Sequence, residues 1–312
     1  MKALVTGGAG FIGSHLAEAL CRKGAQVLVL DDLSEGSLAN LAWRRPGEQL
    51  EFIQGSVLDE KLLRQLLPGC EWVFHQAALV SVPRSVKEPV LSNTLNLEAS
   101  LRLLALAHEV GVRRFLFASS SAIYGDNEVS PKREDLPPSP LSPYALQKYA
   151  AEKYAQLFFQ LYGLPAVCFR YFNIFGPRQS FNSPYSGVIA RFCTTMLKGE
   201  RPVIFGDGLQ TRDFTYVGNV VEANLLAAEA PAEKVAGCVF NVAGGESISL
   251  LELVGELNRL TRQSLTPRFE PPRAGDVRHS AADISAIQRA MGYKAGIHWQ
   301  EGLRHTLAFY QE

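Results

Sequence analysis

The chain is short of the residues that mark several whole classes of protein. Its 312 residues include 5 cysteines, 3 methionines and 3 tryptophans. The cysteines (Cys21, Cys70, Cys168, Cys193 and Cys238) are odd in number and widely spaced, with no Cys-x-x-Cys. This excludes a disulfide framework or a zinc ribbon and predicts small buried hydrophobes in a reducing compartment. No apolar run approaches the ~18 residues of a membrane span. The opening Met1-Lys2-Ala3-Leu4-Val5-Thr6-Gly7-Gly8 turns to glycine too soon for a signal-peptide core, so a cytoplasmic location is expected. Nor is there a surplus of one charge: 31 basic and 31 acidic side chains leave a formal net charge of zero. The electrostatic footprint of a nucleic-acid or anionic-membrane binder is therefore missing. Internal repeats, charge blocks and low-complexity segments are absent as well, and no metal site is expected.

What is present is 47% apolar residues and 26 glycines. A chain of this length buries about 75% of its unfolded surface and needs no disulfide or metal staple. Short apolar runs at Lys2–Thr6, Gln26–Leu30, Glu51–Gln54, Trp72–Phe74, Phe115–Ala118 and Ala166–Arg170 predict strands. Helical spacing marks Gly10–Arg22, Leu58–Leu67, Ser92–His108 and Pro143–Leu161 between them. Such alternation predicts an α/β protein built on a doubly wound parallel sheet of the Rossmann type. After Phe172 the texture becomes rich in glycine and proline, with one more strand at Cys238–Val242 returning to the main sheet. We expect residues 1–172 plus about 215–243 to form the nucleotide domain. About 173–214 plus 244–312 form a smaller, discontinuous C-terminal lobe.

Ligands on such sheets bind beyond the carboxyl ends of the strands. There, Gly7, Gly10 and Gly13 make a G-x-x-G-x-x-G turn between the first strand and first helix, with Phe11 and Ile12 inside it. Glycine lets the backbone approach a pyrophosphate, and the helix start offers N–H groups to its charge. Asp31 follows the second strand, 18 residues beyond Gly13, where a carboxylate can accept from both adenosine ribose hydroxyls. It would repel a 2′-phosphate, so NAD is favoured over NADP. The alternative is that Asp31 or Asp32 caps the next turn.

Ser142-Pro143-Tyr144-Ala145-Leu146-Gln147-Lys148 supplies an N-cap, a proline suited to the first helical position, and a tyrosine and lysine at i and i+4. An ammonium near a phenol lowers its pKa from about 10, which makes the tyrosine a candidate general base. Ser119, Ser120 and Ser121 close a predicted strand where a ligand would lie.

Taken together, Gly7–Gly13, Asp31, the serine run, Tyr144/Lys148 and Arg170-Tyr171-Phe172-Asn173 resemble the extended short-chain dehydrogenase/reductase superfamily. More narrowly they resemble its NAD-dependent nucleotide-sugar 4-epimerases of the UDP-galactose/UDP-N-acetylglucosamine group. The likeness implies Tyr144 as base and Lys148 as its partner and nicotinamide-ribose ligand. Ser120 is implied as proton relay, with Ser119 and Ser121 left open. It further implies Ser56, Val57, Ala77 and Tyr171 as cofactor contacts and Asn96 as a structural asparagine. Substrate contacts are implied at Ser81, Arg84, Asn173, Val188, Arg212, Arg273, Asp276 and Ser280. A homodimer formed through the helices near Ser92–His108 and Pro143–Leu161 is also implied. Two departures stand out: Gly55-Ser56-Val57 lacks the usual aspartate, and Ala99 replaces a frequent glycine.

Sugar 4,6-dehydratases of this kind carry an Asp-Glu pair after the catalytic threonine, and the decarboxylases a glutamate. Here Ser121 and Ala122 stand instead. Oxidation and re-reduction at C4 need no such acid, so an epimerase of UDP-sugars is expected. A serine at 280, where a tyrosine confines relatives to non-acetylated sugars, predicts UDP-GlcNAc/UDP-GalNAc, with UDP-Glc/UDP-Gal alongside. The rivals are a UDP-glucuronate 4-epimerase or another nucleotide-sugar oxidoreductase, and a non-catalytic NAD-binding module.

Overall fold

Ala3, Leu4, Val5 and Thr6 are wholly inside because the strand they belong to, Lys2–Thr6 (β1), is covered on both faces. Gln26–Asp31 (β2), Leu50–Gln54 (β3), Trp72–His75 (β4), Arg114–Ser120 (β5) and Ala166–Tyr171 (β6) follow in the same sheet. The chain then leaves it for Ile174–Phe175 (β7), Val203–Phe205 (β8), Thr211–Asp213 (β9) and Thr215–Tyr216 (β10). It returns as Val239–Val242 (β11), then adds Ser247–Ser249 (β12), Arg268–Glu270 (β13) and His279–Ser280 (β14). This computed structural model describes residues 1–181, 187–272 and 278–311.

The seven-stranded sheet runs β11-β6-β5-β4-β1-β2-β3, all parallel. From β1 the chain steps outward to β2 and β3, then crosses back to place β4 on the other side of β1. The crevice at that reversal is where ligands of open α/β sheets bind. Register lines up the strand ends around it: Thr6 faces Leu30 and His75, and Ser120 faces Tyr171.

Phe11–Arg22 (α1) packs Leu16, Ala17 and Leu20 on Ala3 and Val5, on the same face as Val220 and Ala223 of a later helix. Glu60–Leu66 (α2) covers the other face with Leu63, beneath Leu4 and Leu28. Alternation along β1 thus feeds two separate cores, and the expected double winding is present. After Val82–Lys87 (α3), the helix expected over Ser92–His108 is present as Pro89–Asn93 (α4), a π-helical stretch at Thr94–Glu98 and Ala99–Glu109 (α5), which follow one another without a break. Pro143–Tyr162 (α6) begins as its sequence dictates. Ser142 Oγ accepts from the Ala145 N–H at 3.2 Å, Pro143 sits in the first turn, and Gly163 ends the helix in a left-handed conformation.

Val188–Leu197 (α7) and, later, Leu250–Thr261 (α10) build a third core with the small sheets, through Phe192, Met196, Leu253 and Leu257. A reciprocal Ser249–Glu252 capping box starts α10. Val217–Glu229 (α8) and Ala232–Val235 (α9) lead back to β11, while Ser285–Met291 (α11) and Trp299–Gln311 (α12) close the chain. Ile287 and Tyr293 bury themselves in the core of the main sheet. The small sheets pair β7 with β10, β9 with β12 and β14, and β8 with β13. Among the described residues no helix is long and apolar enough to cross a membrane, and no cluster of three metal-ligating side chains occurs. All five cysteines are free thiols.

Candidate active site

The glycine turn is held by its own backbone. Gly7 donates to Leu30 O at 2.8 Å, Gly10 to Gly7 O at 3.1 Å, and Gly7 adopts φ 66°. A Cβ on Gly13 would lie 2.1 Å from Gly7 O, and one on Gly7 2.7 Å from Ala77 N, so neither position admits a side chain. Gly10 gives α1 no side-chain cap, which leaves the helix start, with Phe11 and Ile12, to an outside acceptor. Asp31 ends β2 and accepts from the N–H groups of Ala9 and Leu33 at 2.9 Å each. Burial raises its pKa, and these hydrogen bonds pull the other way. Its neighbour Asp32 makes the following turn, accepting from Ser34. A carboxylate has about four acceptor sites, so Asp31 retains capacity for a ribose hydroxyl. Gly36, which sequence reasoning passed over, lets the loop close on that carboxylate: a Cβ there would stand 2.7 Å from Oδ1.

The other cofactor candidates flank the same crevice. Ser56 turns the chain after β3, its Oγ accepting from the Leu58 N–H, and Val57 is buried in the adjoining core. Ala77 follows β4 against Gly7. Tyr171 ends β6, where its hydroxyl meets Asn224 Nδ2 at 2.8 Å and Gln76 Nε2 at 3.4 Å. Burial pushes that phenol up to about 12.

At the end of β5 the serine run resolves itself. Ser119 is buried and donates to Glu152 Oε2 at 2.8 Å. Glu152 in turn takes Arg170 Nε and Nη2 at 3.1 and 2.7 Å, and the guanidinium lies 4.8 Å from the Tyr124 ring centre. Ser120 instead lies beside the Tyr144 phenol and accepts from the Ala122 N–H at 3.2 Å. Ser121 opens the short 3-10 turn that follows. The i, i+4 spacing does bring Lys148 beneath the same strand end. Its Nζ donates to Ala118 O at 2.7 Å and sits 4.9 Å from the Phe117 ring centre.

One expectation needs correcting. The Tyr144 phenol lies above its ordinary pKa rather than below, because desolvation outweighs the opposing pull of the Ser120 hydroxyl and Lys148 exerts no resolved pull. Burial also lowers Lys148 to about 7. Both shifts are those of desolvated groups without a counter-charge, Lys148 being buried and Tyr144 half-buried.

Asn96 sits in the π-helical stretch, clamping Leu79 by both backbone groups at 2.7 and 3.1 Å and donating to Gln147 Oε1 at 3.0 Å. Ser81 caps α3, and Arg84 is engaged by Glu35 and Glu88 at 3.6 and 3.5 Å. Within α3, Ser85 Oγ accepts from the Tyr144 N–H at 3.2 Å.

A cavity of about 260 Å³ opens beyond β6, lined by Asn173, Val188 and Arg212 from the sequence reading. It also gathers Gln179, with Val203, Phe205 and Gln210, the last three of which sequence reasoning missed. The volume lies below the roughly 300–1,000 Å³ of drug-sized pockets, which suits part of a ligand such as a nucleoside. Asn173 takes a φ of 38° and donates to Asp213 O at 3.1 Å. Arg212 donates to Thr211 O at 2.9 Å, and Ser280 lies opposite it in β14. Arg273 and Asp276 lie outside the described residues, as do residues 182–185 of the Gln179–Tyr185 stretch, which resembles that of the acetyl-sugar epimerases. A larger hollow, about 820 Å³, opens beside Arg114 and Tyr162 at the other end of the strands, away from every candidate.

The family model described as the NAD dependent epimerase/dehydratase family matches residues 3–243. The chain belongs to that family. It is 37% identical, over its whole length and 99% of the relative's, to the UDP-glucose 4-epimerase of Mycolicibacterium smegmatis. It superposes with TM-score 0.93 and 40% identity on the UDP-glucose 4-epimerase of Thermotoga maritima with UDP-glucose, covering 100% and 99% of the two chains. For the UDP-N-acetylglucosamine 4-epimerase of Methanobrevibacter ruminantium in complex with UDP-N-acetylmuramic acid, the values are 0.92, 40%, 99% and 98%. NAD is the cofactor, and the uncapped helix start, the Gly7–Ala77 contact and the Asp31 carboxylate fit it.

Proposed function

We propose that this NAD-dependent enzyme inverts C4 of UDP-hexoses, with UDP-GlcNAc/UDP-GalNAc its principal pair and UDP-Glc/UDP-Gal accepted as well. The observation that carries the reading is the placement of Ser120 beside the Tyr144 phenol at the carboxyl end of β5, with Lys148 one helical turn on and no acid at positions 121 and 122. In this reading the Gly7–Gly13 turn, Asp31, Ser56, Val57, Ala77 and Tyr171 hold the dinucleotide. The nucleotide half of the substrate occupies the cavity of Asn173, Val188 and Arg212. The diphosphate is assigned to Arg273, the ribose to Asp276, the 2-substituent to Ser280 and the sugar to Ser81 and Arg84. The resemblance supports these last roles.

Bound NAD supplies a reversible hydride acceptor and a positive charge. The chain supplies the proton path: the 4-hydroxyl gives its proton through Ser120 to Tyr144, and the same path returns it after the 4-keto sugar has turned over. Burial keeps the Tyr144 phenol protonated at neutral pH, so its ionised form needs positive charge beside it. Lys148 is this chain's contribution. Burial loosens its proton and tightens that of Tyr144, and bringing the two together as an ion pair reverses both effects. Because the hydride is taken and given back, no net oxidant is consumed.

We assign the substrate lobe to 173–214 and 244–312, and the nucleotide domain to 1–172 and 215–243. A second copy of the chain covers α6. Leu146, Tyr154, Leu157 and Leu161 line one face of that helix at 56%, 38%, 44% and 67% exposure, more apolar surface than a lone helix face keeps in water.

Incubation with UDP-GlcNAc and no added NAD(H), followed by NMR of the C4 configuration, tests the activity. UDP-GalNAc is the expected product, and Tyr144→Phe should reduce turnover about 10²–10⁴-fold while NAD stays bound. A wild-type chain that binds NAD yet inverts no UDP-sugar overturns the proposal.

A further inference from the structure

Thr6, His75, Ser100 and Asn96 form a line of polar residues, each at most 1% exposed, that crosses from β1 through β4 into α5. None belongs to the proton path. Thr6 Oγ1 lies 2.7 Å from His75 Nδ1, and His75 Nε2 lies 2.8 Å from Ser100 Oγ. Ser100 Oγ lies 2.7 Å from Asn96 O, and the Ala77 N–H reaches Thr6 Oγ1 at 3.4 Å.

The proton positions follow from the far end. A carbonyl only accepts, so Ser100 spends its O–H on Asn96 O and must receive from His75. Nε2 therefore carries the hydrogen, Nδ1 is bare, and Thr6 donates to it. Every hydrogen bond in the chain then points one way, from Ala77 to Asn96. A charged ring would have hydrogens on both nitrogens and would break that order. Burial and the nearby Lys148 charge hold the imidazole neutral by lowering it to about 3.

Both ends of the line touch the site. Thr6 immediately precedes Gly7, and Ala77 is the residue that Gly7 packs against. Asn96 clamps Leu79 and donates to Gln147, which lies between Tyr144 and Lys148 on α6. We infer that His75 is a positioning residue that couples the dinucleotide turn to the catalytic helix, through a single neutral tautomer fixed by Thr6 and Ser100. The inference rests on the NAD reading of the glycine turn.

The first test needs no cofactor. Nitrogen-15 NMR of the imidazole in the NAD-free protein should show only the Nε2–H form, and Ser100→Ala should populate the Nδ1–H form. The second is a double-mutant cycle on NAD affinity. Thr6→Val and Ser100→Ala should each weaken binding about five- to tenfold, and together little more than either alone, because each by itself frees the ring. Thr6→Ser should restore binding. His75→Gln, which can still reach Ser100, serves where larger changes prevent folding, and should match Thr6→Val. An Nδ1–H ring in the wild type overturns the inference. So do two losses that multiply, or variants that melt lower yet bind NAD as the wild type does. In those cases NAD binding by the wild type leaves the functional reading intact, whereas a wild type that binds no NAD removes both.

Discussion

The Ser119 hydroxyl points into the core, 2.8 Å from Glu152 Oε2, whereas that of its neighbour Ser120 lies beside the Tyr144 phenol. Removing the two hydroxyls should therefore have opposite signatures. Ser119→Ala strips one donor from a buried carboxylate and should cost about 1–3 kcal/mol of stability with kcat nearly unchanged. Ser120→Ala should leave the unfolding midpoint in place and lower kcat by about 10²-fold. Urea titration and initial rates on the same preparations measure both.

Lys148 gives the fold a pH dependence of definite sign. Its folded pKa, about 7, lies below the ordinary 10.5, so between those values the unfolded chain binds more protons. Stability from this group is fully present above about 10.5 and is lost as the pH falls toward 7. Lys148→Met removes that slope. Compared by urea unfolding at pH 9.5 and pH 7, the variant should gain on the wild type at the lower pH, even though it has lost catalysis.

Filling the space beside Arg212 should separate the two sugar pairs. Ser280→Tyr is expected to lower kcat/KM for UDP-GlcNAc by about 10–200-fold, corresponding to about 1–3 kcal/mol, while sparing UDP-glucose. Equal losses on both substrates would place the 2-substituent elsewhere.

Charge on the exposed face of α6 should prevent the proposed pairing of two chains there. Leu157→Glu is expected to sediment as a monomer at concentrations where the wild type is dimeric, with the far-UV spectrum retained. A wild-type chain that sediments as a monomer removes this proposal.

The sequence was most informative where chemistry and secondary structure share residues. Glycine spacing after β1, Asp31 at the end of β2 and the Ser142-Pro143 start of α6 each state a local conformation and a role at once. β1 runs over Lys2–Thr6 as its apolar run predicts, and β5 extends to Ser120 because its serines are still paired with β6. What stayed hidden depends on contacts between distant segments. Nothing local distinguishes Ser119 from Ser120, since the choice is made by Glu152, 33 residues away. Helical periodicity over Ser92–His108 concealed the π turn that aims Asn96 at Leu79. The raised pKa of Tyr144 likewise follows from burial, which spacing does not encode. Phe205 and Gln210 reach the cavity through a lobe whose strands are only two or three residues long, too short to leave a periodic trace.

The third core, around Phe192, Met196 and Leu257, is separate from the two that sandwich the sheet. Separate cores tend to melt as separate cooperative units. A molecule gripping both lobes adds its binding energy to the joint state alone, so calorimetry should show two overlapping transitions for the unliganded chain and their merger into one when NAD and a UDP-sugar are supplied together.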